Sequence, residues 1–143
     1  MLNIRHTGIV VSDAEKSIEF YTKLLGFEIK KDMLESGDYI DNFSDLKDVV
    51  VRTIKMTLEN GDMVELLNYQ THPELPDMDR PITRIGCSHF AMTVDNLDET
   101  YDRLVEAGVE FNSPPQYSPD GVAKVTFCKD PDGSLVELVE ELR

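Results

Sequence analysis

Cysteines, histidines and basic residues are few in this chain, and long apolar runs are absent. Cys87 and Cys128 are the only cysteines among 143 residues, and they form no C-x-x-C pattern. This excludes a disulfide scaffold, and each lies in a strand-like stretch where a free, buried thiol is the usual state. A reducing cytoplasm is therefore the expected location. No run of about 18 apolar residues occurs, so no transmembrane helix is expected. The N-terminus reaches Arg5 and His6 without a hydrophobic segment of signal length. Lys and Arg number 14 against 28 Asp and Glu, a net charge of −14. Nucleic-acid binding, which needs clustered cations to neutralise phosphates, is excluded, and so is docking to an anionic membrane surface. The acidity reads as a solvated surface.

What is present is said twice. The stretch from His6 to Asp13 (HTGIVVSD) matches the stretch from His89 to Asn96 (HFAMTVDN). Gly61 to Leu67 (GDMVELL) matches Gly133 to Val139 (GSLVELV). Two of the three histidines thus occupy equivalent points of an internal repeat, and each copy follows its histidine with one glutamate. The histidines stand 83 positions apart and the glutamates 72, so the first copy carries 11 extra residues between them. The surplus falls most naturally in residues 31–48, a polar, irregular stretch containing Gly37, and such insertions become loops beside the working face.

Local patterns give each copy the same order of elements. Residues 3–11 read as a strand. Ser12-Asp13 offers an N-cap to a helix carrying Ile18, Tyr21, Leu24 and Leu25, which Gly26 closes. A strand begins at Phe27, another spans 49–58, and the Asn60-Gly61 turn leads into a third at 63–69. Three prolines mark 71–84 as a linker. The second copy has a strand at 86–94, an Asp95 or Asn96 cap and a helix through Tyr101, Leu104 and Val105 that ends at Gly108. A strand begins at Val109-Glu110-Phe111, another spans 122–128, and the turn Asp130-Pro131-Asp132-Gly133 opens a final strand at 134–139. The length suits one domain, here 1–143, built of two β-α-β-β-β modules of about 1–70 and 85–143 that each need the other to bury a core. The fold class is α+β, with the modules side by side as an incomplete barrel and the helices outside.

Alternation along strands puts His6 on a face with Ile4, Gly8 and Val10, and Glu65 with Met63 and Leu67. His89 shares a face with Cys87, Ala91 and Thr93, and Glu137 with Leu135 and Val139. All four polar groups are therefore expected to point, among mostly apolar neighbours, to the inner side of a sheet. Glutamate is almost never buried unless paired or coordinated, so two inward Glu–His pairs call for a cation. Imidazole with carboxylate suits one divalent ion: zinc, nickel, cobalt, iron or manganese. The third histidine, His72, lacks a repeat partner and reads as surface.

The His6 strand and its helix ending FYTKLLGF (Phe20 to Phe27), the His89 strand, and the run from Asp130-Pro131-Asp132-Gly133 to Val136-Glu137-Leu138 resemble the vicinal oxygen chelate superfamily. That superfamily includes glyoxalase I, methylmalonyl-CoA epimerase, extradiol dioxygenases and the fosfomycin and bleomycin resistance proteins. The likeness spans essentially the whole chain. It implies a metal held by His6, Glu65, His89 and Glu137, a ligand set most similar to that of glyoxalase I and the related epimerases. The implied activity is that of a metal-dependent lyase or isomerase acting on a small oxygenated substrate through a metal-stabilised enediolate. Glu137 is the implied principal base and Glu65 a ligand and second base. Glu35 and Asp38, in the 31–48 stretch, are weaker candidates for a base that is not a ligand. A methylmalonyl-CoA-type epimerase, a binding or resistance protein, and an Fe(II) dioxygenase are the alternatives, the last disfavoured by the extra carboxylate. Glutathione-dependent glyoxalase I commonly has an arginine four residues after its first histidine. This chain has Val10 there, with Arg5 and Arg52 as the nearby substitutes. The resemblance also allows a homodimer, because members often share module edges between chains.

Overall fold

The computed structural model describes all residues from Met1 to Arg143, which divide into two compact units, Met1–Pro76 and Asp77–Arg143. The N-terminal unit contains β1 (Thr7–Val10), α1 (Ala14–Glu19) continuing as a π-helical turn (Phe20–Leu24), β2 (Glu28–Ser36), α2 (Asp38–Ser44), β3 (Val50–Thr57) and β4 (Met63–Tyr69). Its sheet has the order β1-β4-β3-β2, with β1 and β4 parallel and the other pairs antiparallel. The C-terminal unit contains β5 (His89–Thr93), α3 (Leu97–Glu106), β6 (Gln116–Tyr117), β7 (Ala123–Lys129) and β8 (Leu135–Glu141). Its order is β5-β8-β7-β6, again with only the first and last strands parallel. Both are therefore open four-stranded β-α-β-β-β sheets of one topology, giving the α+β class without a closed barrel. No helix is long and apolar enough to cross a membrane.

Each helix begins and ends for local reasons. Asp13 caps α1 by accepting the Lys16 amide hydrogen at 3.2 Å, and Asn96 caps α3 by accepting that of Glu99 at 3.1 Å. The α3 start is further secured by the Leu97 amide, which donates to Glu140 at 2.8 Å. The α1 segment widens before it stops: the Leu25 amide reaches back five residues to the Phe20 carbonyl at 3.2 Å. This turn seats Tyr21, which is fully buried and edge-on to Phe20 and Phe27. In the N-terminal unit the helix-covered face of the sheet carries Ile9, Val11, Ile54, Met56, Val64 and Leu66, all buried. In the C-terminal unit Leu97 and Leu104 of α3 are buried, as are Val136, Leu138 and Cys128 of the sheet.

Residues 31–48 depart from the expected loop. Residues 31–36 extend β2, paired to β3 through a bulge between Ile29 and Lys31, and 38–44 form α2. Ile40 of α2 is buried with Val49 and Val51, against partly buried Leu46, Leu67 and Tyr69. The stretch looked irregular because only Ile40 and, in part, Leu46 face this core, too few to give a period. The strand expected from Val109 is also displaced. Phe111 makes one isolated bridge to Cys128, and the paired strand is Gln116–Tyr117, beyond the two prolines that interrupt the segment.

The turn from Asp130 to Ser134 is fastened internally and against the start of its own unit. The buried Asp130 carboxylate accepts from the amides of Asp132 and Ser134 at 2.9 and 2.8 Å. Gly133 has φ +86°, and a Cβ there would overlap the backbone carbonyl of Asp77. Gly133→Ala is therefore expected to cost about 2–4 kcal/mol, combining backbone strain with a clash. Gly121→Ala, at φ +75° in open space, should cost only about 1 kcal/mol. Urea unfolding of the two variants measures the difference.

Candidate functional site

The parallel pairings position the residues singled out by the repeat. In the N-terminal unit Glu65 lies opposite Gly8, and His6 stands two residues before Gly8 along the same chain. In the C-terminal unit Glu137 lies opposite Ala91, and His89 stands two residues before Ala91. The offset of two returns each histidine to the glutamate's face. The small residues Gly8 and Ala91 leave the carboxylates uncovered between strands.

Measured separations repeat as the register does. His6 Nε2 is 3.7 Å from Glu65 Oε1, and His89 Nε2 is 3.6 Å from Glu137 Oε2. Both exceed ordinary hydrogen-bond length. They lie close to the roughly 3–3.5 Å expected between a nitrogen and an oxygen bound about 2.1 Å from one ion. The glutamate side chains are 13% and 23% exposed. His6 Nδ1 is buried and has no hydrogen-bond partner, whereas His89 Nδ1 is 2.6 Å from Ser88 Oγ. The Ser88 contact orients the ring with Nε2 toward the glutamate, the usual arrangement behind a ligating imidazole. Phe127, opposite Glu137 in the sheet, packs edge-on to His89 with centroids 5.0 Å apart. By donor type and separation, each pair fits two positions around a borderline divalent cation. Each unit alone supplies two donors, and no group of three or more His, Cys, Asp or Glu is gathered to hold an ion.

These pairs lie on the side opposite the helix-covered core, the side expected for them with the helices outside. Its apolar content differs from the expectation: Ile4 and Val10, expected as apolar neighbours of His6, are largely exposed. Glu35 shares the face of Glu65, since its register partner Val51 is opposite Tyr69, and Asp38 begins α2. α2 packs on Leu67 and Tyr69 of this same face, so the inserted residues lie beside the pair as expected, folded as a helix. His72 is exposed, as expected, with its Nδ1 2.9 Å from Thr71 Oγ1. Ser88 and Phe127 were not foreseen: Ser88 adjoins His89 in sequence, but only the β7–β8 register brings Phe127 to it.

Arg52 does not serve the site. It lies on the helix-covered side, donates two hydrogen bonds to Asp32 at 2.9 and 2.7 Å and a third to Glu15 at 2.7 Å. Those bonds hold the Asp32 carboxyl below its ordinary range, against the opposing effect of burial. The two thiols also diverge. Cys87 is exposed, whereas burial, aided by the nearby Asp130 carboxylate, pushes the Cys128 thiol up to about 12. One equivalent of thiol, that of Cys87, is therefore expected to react with iodoacetamide at pH 8 in the native protein, and two after denaturation. Peptide mapping of the alkylated chain checks the assignment.

The sequence model of the Glyoxalase/Bleomycin resistance protein/Dioxygenase superfamily matches residues 3–138. The chain is 30% identical over 141 residues to the uncharacterized protein YwkD of Bacillus subtilis, spanning 97% of each. It is 26% identical over 140 residues to the lactoylglutathione lyase of Shigella flexneri, spanning 98% of this chain and 93% of that one. Among solved structures, a glyoxalase family protein from Bacillus cereus superposes with a TM-score of 0.89 at 24% identity, over 100% of this chain and 96% of the other.

Proposed function

This chain belongs to the Glyoxalase/Bleomycin resistance protein/Dioxygenase superfamily, and we propose that it is a divalent-metal-dependent lyase or isomerase of the glyoxalase type, acting on a small oxygenated molecule. The observation that carries this reading is the duplication of a His–Glu pair, at 3.7 and 3.6 Å, in matching registers of two sheets. His6, Glu65, His89 and Glu137 are the proposed ligands of one ion, from the zinc, nickel, cobalt, iron and manganese group. When bound, the ion supplies a Lewis acid for a substrate oxygen.

The protein's own groups then move the proton. A carboxylate poised beside a carbon that adjoins a carbonyl removes its proton and returns it to the neighbouring atom, an isomerisation. Glu137 is the proposed principal base and Glu65 the second. Ser88 and Phe127 keep the His89 ring fixed while this occurs, which limits reorganisation during the reaction. Similarity to the lactoylglutathione lyase of Shigella flexneri supports proton transfer as the reaction class. Val10 in place of an arginine, and the commitment of Arg52 to Asp32 and Glu15, count against a glutathione adduct.

Purified protein is expected to retain about one divalent ion per set of four ligands by elemental analysis. Glu65→Gln and Glu137→Gln should each reduce metal affinity at least tenfold, within the range for removing a ligand or its orienting partner. In deuterated buffer the metal-loaded protein should exchange the carbon-bound hydrogen of a 2-hydroxy ketone or 2-oxo thioester. Glu137→Gln at saturating metal should slow that exchange by 10²-fold or more. Metal uptake without exchange in any such compound would instead favour a binding protein.

A further inference from the structure

Across the sheet of the N-terminal unit, the row containing Glu65 runs Gly8, Glu65, Lys55 and Lys31, each the register partner of the next. Register partners share a face, so both lysines belong to the face of the His6–Glu65 pair. Lys55 is half-buried, yet no ion pair or hydrogen bond engages its ammonium group, and Lys31 is equally unengaged. Like charges directly opposite one another in a sheet are destabilising. The carboxylate opposite Lys55 is that of Glu65, which stands beside His6 instead of pairing with the lysine. In the C-terminal unit the place equivalent to Lys55, opposite Glu137, is held by Phe127. Lys129, the lysine on that face of the C-terminal unit, lies one row away and is engaged by the Met78 carbonyl, so an unengaged cation directly opposite the glutamate belongs to one copy and is no by-product of the repeat.

We propose that the substrate carries a carboxylate or phosphate group in addition to its adjacent oxygens, and that Lys55, with Lys31 beyond it, is the specificity-determining residue that seats this anion. The proposal rests on the metal-dependent reading above. Neighbouring strands lie about 4.8 Å apart, so Lys55 begins one strand away from Glu65 and Lys31 two. A flexible four-carbon stem ending in three donors can reach an anionic group several atoms removed from the chelating oxygens. The place of each lysine also sets a direction: the charged end of the substrate lies toward β3 and β2, away from β1.

Metal-loaded protein is titrated calorimetrically with three chelating probes: acetohydroxamate, succinate monohydroxamate and 3-phosphonopropionohydroxamate. They share one metal-binding group and differ in the remote tail, neutral, carboxylate or phosphonate. One or both anionic probes should bind about tenfold more tightly than acetohydroxamate, as a charge-assisted hydrogen bond implies, and the tighter of the two identifies the preferred anion. Lys55→Met should erase the preference while leaving metal content and acetohydroxamate affinity unchanged. Lys55→Arg should retain most of it, and Lys31→Met should reduce it by less than Lys55→Met. Equal affinity for all three probes, or a preference that survives in Lys55→Met, overturns this proposal alone. A wild-type protein that takes up no divalent metal overturns the metal-dependent reading and this proposal with it.

Discussion

The site rests on one constraint: in each unit the first strand lies parallel to the last. Parallel neighbours require a crossover, and the crossover here includes a helix that covers one face of the sheet. The other face is left free of that helix. On it, a histidine two residues ahead of the register partner of a glutamate must come beside that glutamate. This holds for His6 and Glu65 across Gly8, and for His89 and Glu137 across Ala91. A register slip of one residue would send either member to the helix side, among Val64 and Leu66 or Val136 and Leu138, where a charge has no partner. The apolar residues flanking each glutamate in sequence therefore hold it in place, because their burial prevents the slip.

Duplication explains the common frame, and departures from it explain the chemistry specific to this chain. The His89 ring is held by Ser88 and Phe127, whereas His6 has a buried Nδ1 without a partner. The N-terminal copy alone has α2, whose Ile40 extends an apolar cluster over the end of the face carrying Glu65. That copy also has lysines where the other has Phe127.

Much of this was legible in the residues. The cap at Asp13, the stops at Gly26 and Gly108, the hairpin at Asn60-Gly61 and the strand at 63–69 follow from local rules, because caps, left-handed residues and strict alternation act over a few bonds. The two His–Glu pairs emerged from the repeat for a similar reason: a duplicated pattern needs no knowledge of distant contacts. Less legible were α2, which has one core-facing residue, and β6, delayed to Gln116 by Pro114 and Pro115. The partners of Arg52 were invisible too, since Asp32 and Glu15 lie 20 and 37 residues away in sequence.

The order of residues determined that two like units form, which side chains share a face, and that one histidine and one glutamate fall together in each. Alternation and chain repetition suffice for that. The tertiary structure decided which face is covered, since this depends on where the crossover helix packs rather than on the strand itself. It also decided which cations are already committed, as with Arg52, and which remain open, as with Lys55. An ion pair is made by proximity in space, and proximity across strands is set by register, a property that no single segment contains.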